Sequence, residues 1–298
     1  MYGSLGVSLQ QPMCVVEVSS EDTGIVISGE EQSRVTTISE RLINHFDITQ
    51  GLRITVWESI PKHTGLGSGT QLGLAIGSGI THVMGRKTNV QDLARILQRG
   101  AVSGVGTATF AVGGFVVDGG KSTKELKDGD AVIPPLIIRH DVPKDWRFVI
   151  AIPGVPRGLS GAQEKQAFQK LPSAKPESAQ QASRLLVMKL LPALVNRDID
   201  GFGDALTQIQ ILVGDAFVSA QGGRFASPEI AQCVNAMLNA GAKGAGQSSW
   251  GPACYGLIRG NKNASNVKKA VQEVLDAESS GPVFISKVNN QGAQISTS

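Results

Sequence analysis

Residues 51–84, GLRITVWESIPKHTGLGSGTQLGLAIGSGITHVM, constrain the fold more than any other stretch of the chain. Leu52, Ile54 and Val56 alternate with polar residues as in a half-buried strand, and Pro61 ends the run. A glycine-rich turn follows, Gly65-Leu66-Gly67-Ser68-Gly69-Thr70, and a small-residue helix carrying Leu72, Leu74, Ala75, Ile76 and Ile80 comes directly after it. This order puts unpaired backbone N–H groups at the positive end of a helix dipole, which is an anion site suited to phosphate or pyrophosphate. Glycines at 65, 67 and 69 let an anion approach the backbone, and Ser68 and Thr70 can donate hydroxyls. A turn capped by Ser68 or Thr70, with no ligand, is the competing reading, because glycine runs alone are weak evidence. The loop is not a Walker sequence, since no Gly-Lys-Ser/Thr follows it, and no acidic residue stands where a dinucleotide fingerprint needs one.

A chain of 298 residues predicts one large or two medium domains. Its 41% hydrophobic and 18% charged content is that of a soluble globular protein. The 36 glycines are in excess, and they cluster in a few motifs, which suggests ligand sites lined by backbone. A net charge of +3 gives no reason to expect nucleic acid or membrane as partner. No apolar run is long enough to span a bilayer, and MYGSLGVSLQQP lacks the layout of a signal peptide. Cys14, Cys233 and Cys254 sit among apolar neighbours, so buried reduced thiols in a cytoplasmic protein are expected. No Cys/His cluster has zinc spacing.

Along the chain, 13–19 and 24–28 read as a hairpin and 31–46 as an amphipathic helix. Thr88-Asn89 caps a helix that ends at Arg99-Gly100. Ser103-Gly104-Val105-Gly106-Thr107 reads as a second flexible loop, feeding strands around 109–118 and 132–139 with a charged turn (121–130) between them. Asp118, between a β run and Gly119-Gly120, is either a carboxylate projecting into a cleft or a turn former. Residues 146–153 predict a central strand, and the domain junction is placed just after it, giving domains 1–150 and 151–298. Helices are expected at 160–171, 177–196, 200–216 and 228–239. A third glycine-rich loop at 241–252 precedes a strand–helix–strand ending (253–258, 264–277, 282–288), typical of a split α/β sandwich, and a frayed tail after Asn289.

The segment Pro61-Lys62-His63-Thr64-Gly65-Leu66-Gly67-Ser68-Gly69 resembles the phosphate loop of the GHMP kinase superfamily. Further stretches narrow the resemblance to one branch: Gly3-Ser4-Leu5-Gly6-Val7-Ser8-Leu9, Arg99 to Thr107, Gly113 to Gly120, Gly158 to Gly161, and Gly246-Gln247-Ser248-Ser249-Trp250-Gly251-Pro252. Together, from residue 3 to about 285, they look like the β-ribofuranosylaminobenzene 5′-phosphate synthases. That resemblance implies an α/β (α+β) two-domain fold with a ribosomal-S5-domain-2-like N-terminal half and a ferredoxin-like C-terminal half. The implied reaction joins 5-phosphoribosyl 1-pyrophosphate to 4-aminobenzoate with loss of pyrophosphate and CO2. Mg²⁺ is expected, no redox cofactor is needed, small molecules are the substrates, and a homodimer is expected by family analogy. Relatives carry a strand with an S/T-R-L-H-x-G motif ahead of the Gly-Ser-Leu-Gly segment, which this sequence does not show.

Under this reading Gly65, Gly67, Ser68, Gly69 and Thr70 cradle the leaving pyrophosphate. Asp118, with Glu17 behind it, is the candidate for supporting a cationic ribosyl centre. Lys62, His63, Arg99, Arg157 and Lys243 lie in or beside the loops, and of these Lys62 and Arg99 are the candidates for holding phosphate or carboxylate. Each has a plainer reading, as a turn residue or a helix-end charge. Ser103, Gly104, Gly106, Thr107, Gly246, Ser248 and Ser249 complete the backbone-lined site. Trp250 either stacks on the aromatic substrate or covers the core. The alternatives are an ATP-dependent small-molecule kinase and a non-catalytic ligand-binding relative.

Overall fold

A computed structural model describes residues 3–121, 132–156, 158, 166–167, 176–275 and 278–297. The charged turn beyond Lys121, Arg157, residues 159–161 and almost all of the helix expected at 160–171 lie outside the described residues. The chain forms two compact units. One comprises 1–62, 67–141 and 289–298; the other comprises 63–66 and 142–288.

In the first unit, β2 (Val15–Glu21), β3 (Ile25–Gly29) and β4 (Gly51–Glu58) form a sheet in the order β2-β4-β3. The expected hairpin of 13–19 with 24–28 is therefore not made. β4 enters between the two strands, antiparallel to β2 and parallel to β3. The parallel pair needs a crossover, and helix α1 (Gln32–Phe46) supplies it. β4 takes the centre because its alternation is the strictest: Leu52, Ile54 and Val56 are buried and Arg53 is exposed. Gly51 permits the insertion, since a β-carbon there would stand 2.7 Å from the Thr23 backbone.

Helix α2 (Ser68–Val83) buries Leu72, Leu74, Ile76 and Ile80 against α1, β2 and α3 (Val90–Ile96). Small residues bring its neighbours close: Gly77 faces Leu93, Gly73 faces Leu97 and Gly79 faces Val18. A helix covered on several sides needs no polar face, which explains its apolar composition. Asn89 caps α3 as expected, its side chain accepting from the Asp92 N–H at 2.8 Å.

The expected strand at 109–118 begins as a helix and only its last four residues are strand. Residues Val105–Val112 form α4, and β5 is only Phe115–Asp118. The run is rich in β-branched residues and reads as a strand, but Thr109 Oγ1 bonds back to the Val105 carbonyl at 2.8 Å. Gly113 and Gly114, both at positive φ, then turn the chain into β5. A second sheet, β1 (Ser4–Val7), β5 and β6 (Leu136–His140), runs antiparallel throughout. The tail, expected to fray after Asn289, is tied to this unit as far as Ala293: Asn289 N–H donates to Ser8 O, Gly114 N–H to Asn289 O and Ala293 N–H to Phe110 O.

The second unit has an antiparallel sheet in the order β10-β7-β9-β8, from β7 (Trp146–Ala151), β8 (Gly244–Gln247), β9 (Cys254–Arg259) and β10 (Val283–Lys287). All of β7 is buried, as its apolar run predicts. Helix α5 (Pro176–Leu185), a π-helical turn (Leu186–Leu190) and α6 (Leu191–Val195) lead into α7 (Ile199–Gln221), whose Phe202 packs on Trp146. Helices α8 (Pro228–Asn239) and α9 (Asn261–Val274) pack their Val234, Met237, Val267 and Val271 with Val149 and Ala151, which alternate with Trp146 and Phe148 on β7. Because β9 and β10 both flank β7 and α9 joins them, the strand–helix–strand ending is a split crossover. Residues 244–247, expected within a glycine-rich loop, are strand β8. Their glycines serve packing: a β-carbon on Gly244 would meet Gly203 on α7, and one on Gly246 would meet Gln210. Among the described residues no helix is long and apolar enough to cross a membrane.

Candidate anion site

In the first unit, α2 begins as an anion site should. Gly67 is the N-cap residue at φ 72°, and its carbonyl accepts from Thr70 N–H at 3.0 Å and Gln71 N–H at 3.1 Å. No side chain caps the helix, so the reading of a turn closed by Ser68 or Thr70 is not what the chain adopts. The first N–H groups of the helix are left to a ligand or to water. Thr70 packs against Gly106 in the first turn of α4, and Gln71 Nε2 donates to the Gly106 carbonyl at 2.9 Å. Gly106 and Thr107 are thus helical residues rather than part of a loop.

Charge converges on this helix start. A β-carbon on Gly69 would stand 3.0 Å from Arg99 Nη1 and 3.4 Å from Arg34 Nη2. Arg34 gives its other terminal nitrogen to Glu31 Oε2 at 3.1 Å, and Lys62 approaches Glu31 Oε1 at 3.9 Å. Arg99 Nε is buried with no hydrogen-bond partner among the described residues. Burial, and after it the charges of Arg34 and Arg41, hold Arg99 below the usual arginine range, although a guanidinium stays charged at neutral pH. Two cations this close repel by an energy on the order of a few kcal/mol at an effective dielectric near 20. Sequence reasoning named Arg99 and Lys62 here and missed Arg34 and Glu31. Nothing in the helical spacing of α1 marks either one; only the fold brings them to Gly69.

Asp118, 2% exposed, is held by four donors. Oδ1 accepts from Ser4 N–H and Gly120 N–H, both at 3.0 Å. Oδ2 accepts from Gly104 N–H at 2.8 Å and Ser103 Oγ at 3.2 Å. The carboxylate thereby ties β1, β5 and the start of α4 together, with both oxygens taken. Glu17 lies exposed on its strand and accepts from the Trp57 indole at 3.0 Å. Burial pushes the Cys14 thiol up to about 11 despite the opposing pull of Arg34, which disfavours its thiolate.

In the second unit, the Thr64–Gly65 stretch is fixed by the 248–253 turn. Ala253 N–H donates to Thr64 O at 3.0 Å, and Ser248 Oγ donates to Gly65 O at 2.8 Å. His63 is exposed at φ 57°. Gln247 anchors the turn, accepting from Ala226 N–H at 2.7 Å and donating to Ser249 O at 2.9 Å. Trp250 is 4% exposed and meets Phe217 edge to face, centroids 4.8 Å apart. Its ring thus packs in the core, in keeping with the second of the two sequence readings. Gly246 is buried, and a β-carbon there would meet Gln210. Lys243 pairs with Asp200 at 2.7 Å.

Both units have counterparts among known proteins. The GHMP kinases N terminal domain matches residues 33–114, and the GHMP kinases C terminal domain matches residues 190–277. The fold agrees: homoserine kinase from Cytophaga hutchinsonii superposes with a TM-score of 0.70 at 22% identity, covering 97% of this chain and 90% of that one. Sequence similarity is more specific. The beta-ribofuranosylphenol 5′-phosphate synthase of Methanothermobacter thermautotrophicus is 34% identical over 98% of this chain and 90% of its own. The synthase of that name from Archaeoglobus fulgidus is 32% identical over 98% and 91%. The chain belongs to the β-ribofuranosylphenol 5′-phosphate synthase family within the GHMP kinase superfamily.

Proposed function

We propose that the protein transfers the 5-phosphoribosyl group of 5-phosphoribosyl 1-pyrophosphate to the ring carbon of a para-substituted benzoate, releasing pyrophosphate and CO2, in methanopterin biosynthesis. Full-length similarity to the synthases carries this reading. The name of those relatives contains a phenol where the family resemblance implied an aniline, so 4-hydroxybenzoate is the acceptor proposed here in place of 4-aminobenzoate. Either para group donates electron density to the carbon that bears the carboxylate. The C1–O bond of the ribosyl donor breaks and its electron pair leaves with pyrophosphate. The electron-rich ring carbon then bonds to C1. Loss of the carboxylate as CO2 returns an electron pair to the ring, so the balance needs no oxidant or reductant.

Such a reaction needs a holder for a departing polyanion, and the start of α2 with Arg34, Arg99 and Lys62 offers one. Ser68 and Gly69 present backbone N–H groups there. Asp118 acts by position, setting Gly104 and Ser103 rather than touching substrate. Among the described residues no group of three or more His, Cys, Asp or Glu could cage a metal ion. Mg²⁺, which binds substrate phosphates with one or two carboxylates, fits as an ion carried by pyrophosphate, with Glu31, the partner of Arg34, as the carboxylate that would help hold it. When bound it neutralises charge on the leaving group. The protein is taken to act in the cytoplasm as a homodimer, by analogy within the family.

The test is release of labelled CO2 from carboxyl-labelled 4-hydroxybenzoate or 4-aminobenzoate in the presence of the ribosyl donor and Mg²⁺. Release that requires both substrates supports the proposal. No release from either acid, together with ATP-dependent phosphorylation of a small alcohol, would replace it with the kinase reading.

A further inference from the structure

The second unit holds a pair of thiols that the proposed reaction does not use. Cys233 on α8 and Cys254 at the start of β9 are both 0% exposed, in the same apolar cluster as Val149, Ala151 and Met237. Their side chains are hydrogen-bonded to each other. The two sulfurs are not equivalent. Cys254 Sγ also donates to the carbonyl of Ala151, its partner on β7, at 3.7 Å. A carbonyl can only accept, so Cys254 is placed to keep its proton and Cys233 to receive a hydrogen bond from it. That hydrogen bond pulls the Cys233 thiol down, against burial and the charge of Glu229. It pushes Cys254 well above its usual range, and burial adds to the rise. One sulfur is thus favoured as thiolate and the other lies beside it as thiol, the arrangement of an attacking cysteine and its resolving partner. Cys14 stands apart from them, in the first unit.

We propose that Cys233 and Cys254 are a dithiol oxidised by peroxide, closing into a disulfide that staples α8 to β9. Hydrogen peroxide is the oxidant class because it is small and uncharged, and local opening of the fold admits it to a buried pair. The Cys233 sulfur bonds to one peroxide oxygen. The O–O bond breaks, and its electron pair leaves on the other oxygen, which takes the Cys233 proton and departs as water. Cys233 is then a sulfenic acid. The Cys254 sulfur next bonds to the Cys233 sulfur, the S–O bond breaks, and the hydroxyl leaves with the Cys254 proton as a second water. Two thiols lose two electrons and one peroxide gains them, so no further reactant is needed. The new bond closes a loop that contains β8 and the 248–253 turn, whose Ala253 N–H and Ser248 hydroxyl hold Thr64 and Gly65. Restricting that loop in the unfolded chain makes the oxidised second unit the more stable form.

The experiment exposes the folded, reduced full chain to hydrogen peroxide, unfolds it in urea with N-ethylmaleimide and weighs the intact protein. With three free cysteines, reduced protein should take three maleimides and peroxide-treated protein one, on Cys14, with dithiothreitol restoring all three. Tm of the oxidised form is expected to rise by at least about 4 °C and to fall back on reduction. Cys254→Ser should stop at a sulfenic acid on Cys233, captured by dimedone on unfolding, whereas Cys233→Ser should give no such adduct on Cys254 under the same exposure. Three maleimides on peroxide-treated wild type, a loss that dithiothreitol does not reverse, or a disulfide that includes Cys14 would overturn the dithiol. An unchanged Tm after closure would overturn its role as a staple. A dimedone adduct on Cys254 in Cys233→Ser would overturn the assignment of attack to Cys233. The wild-type mass decides the first question whether or not the serine variants fold.

Discussion

The carbonyl oxygen of Ser248 lies 2.1 Å from the point where a β-carbon on Gly65 would stand, while the Ser248 hydroxyl donates to the Gly65 carbonyl at 2.8 Å. Backbone meets backbone here, so no rotamer relieves the contact, and φ at Gly65 is 84°. Gly67, two residues on, is also left-handed at 72° but has open space around it. Gly65→Ala should therefore cost at least about 2 kcal/mol more than Gly67→Ala, which carries only the left-handed penalty of about 1 kcal/mol. Urea unfolding of the two variants checks this, and equal losses would refute the contact.

Asp118→Asn tests whether that carboxylate works by position. The substitution keeps the volume but turns an amide toward N–H and O–H donors that a carboxylate satisfies. We expect a loss of about 3 kcal/mol in chemical unfolding, with ribosyl transfer falling through a raised KM for the ribosyl donor as the α4 start shifts. Unchanged stability with a collapse of kcat alone would return Asp118 to the reacting centre.

The strand–turn–helix core of the first unit was legible because its signals are local: alternation in β4, glycines in the turn and an apolar helix behind them. The pairing of β4 between β2 and β3 was not, because strand order depends on which run is buried on both sides, and β3 alone looks like a hairpin partner. Val105–Val112 misled by composition; its β-branched residues are held helical by Thr109 back-bonding and by the glycines that end the helix. At the site, Arg99 stood out because it borders a glycine motif. Arg34 and Glu31 lie on a helix and at its cap, far from any motif, and matter only through the fold. Trp250 could be read either way until Phe217 on α7 was seen against it.

Cysteine chemistry provides an independent check on burial. With its thiol pushed up to about 11, Cys14 should hold a thiolate fraction on the order of one in a thousand or less at pH 7.5. Cys233 and Cys254 are both buried, and the hydrogen bond with Cys233, followed by burial, raises Cys254 well above its usual range. Native protein should therefore resist maleimide at pH 7.5, with all three thiols reacting once urea unfolds it. Rapid native labelling of Cys14 would show that its surroundings are wetter than the packing implies.

Arg41 offers a graded test of the electrostatics around Gly69. It is exposed, and its charge reaches Arg99 through space, adding to the repulsion that burial and Arg34 already impose. Removing it should relieve Arg99 slightly, yet also lower the positive potential that draws a polyanion in; for a multiply charged ligand the second effect is the larger. Arg41→Ala is therefore expected to weaken pyrophosphate about two- to threefold at low ionic strength. Screening over a Debye length of about 3 Å at 1 M salt should abolish the difference, whereas the losses in Arg34→Ala and Arg99→Lys, which remove direct contacts, should persist there. Titrations of the three variants at low and high salt separate the two kinds of residue. A deficit in Arg41→Ala that survived high salt would mean that Arg41 touches the ligand, and the anion holder at the start of α2 would then include a third guanidinium.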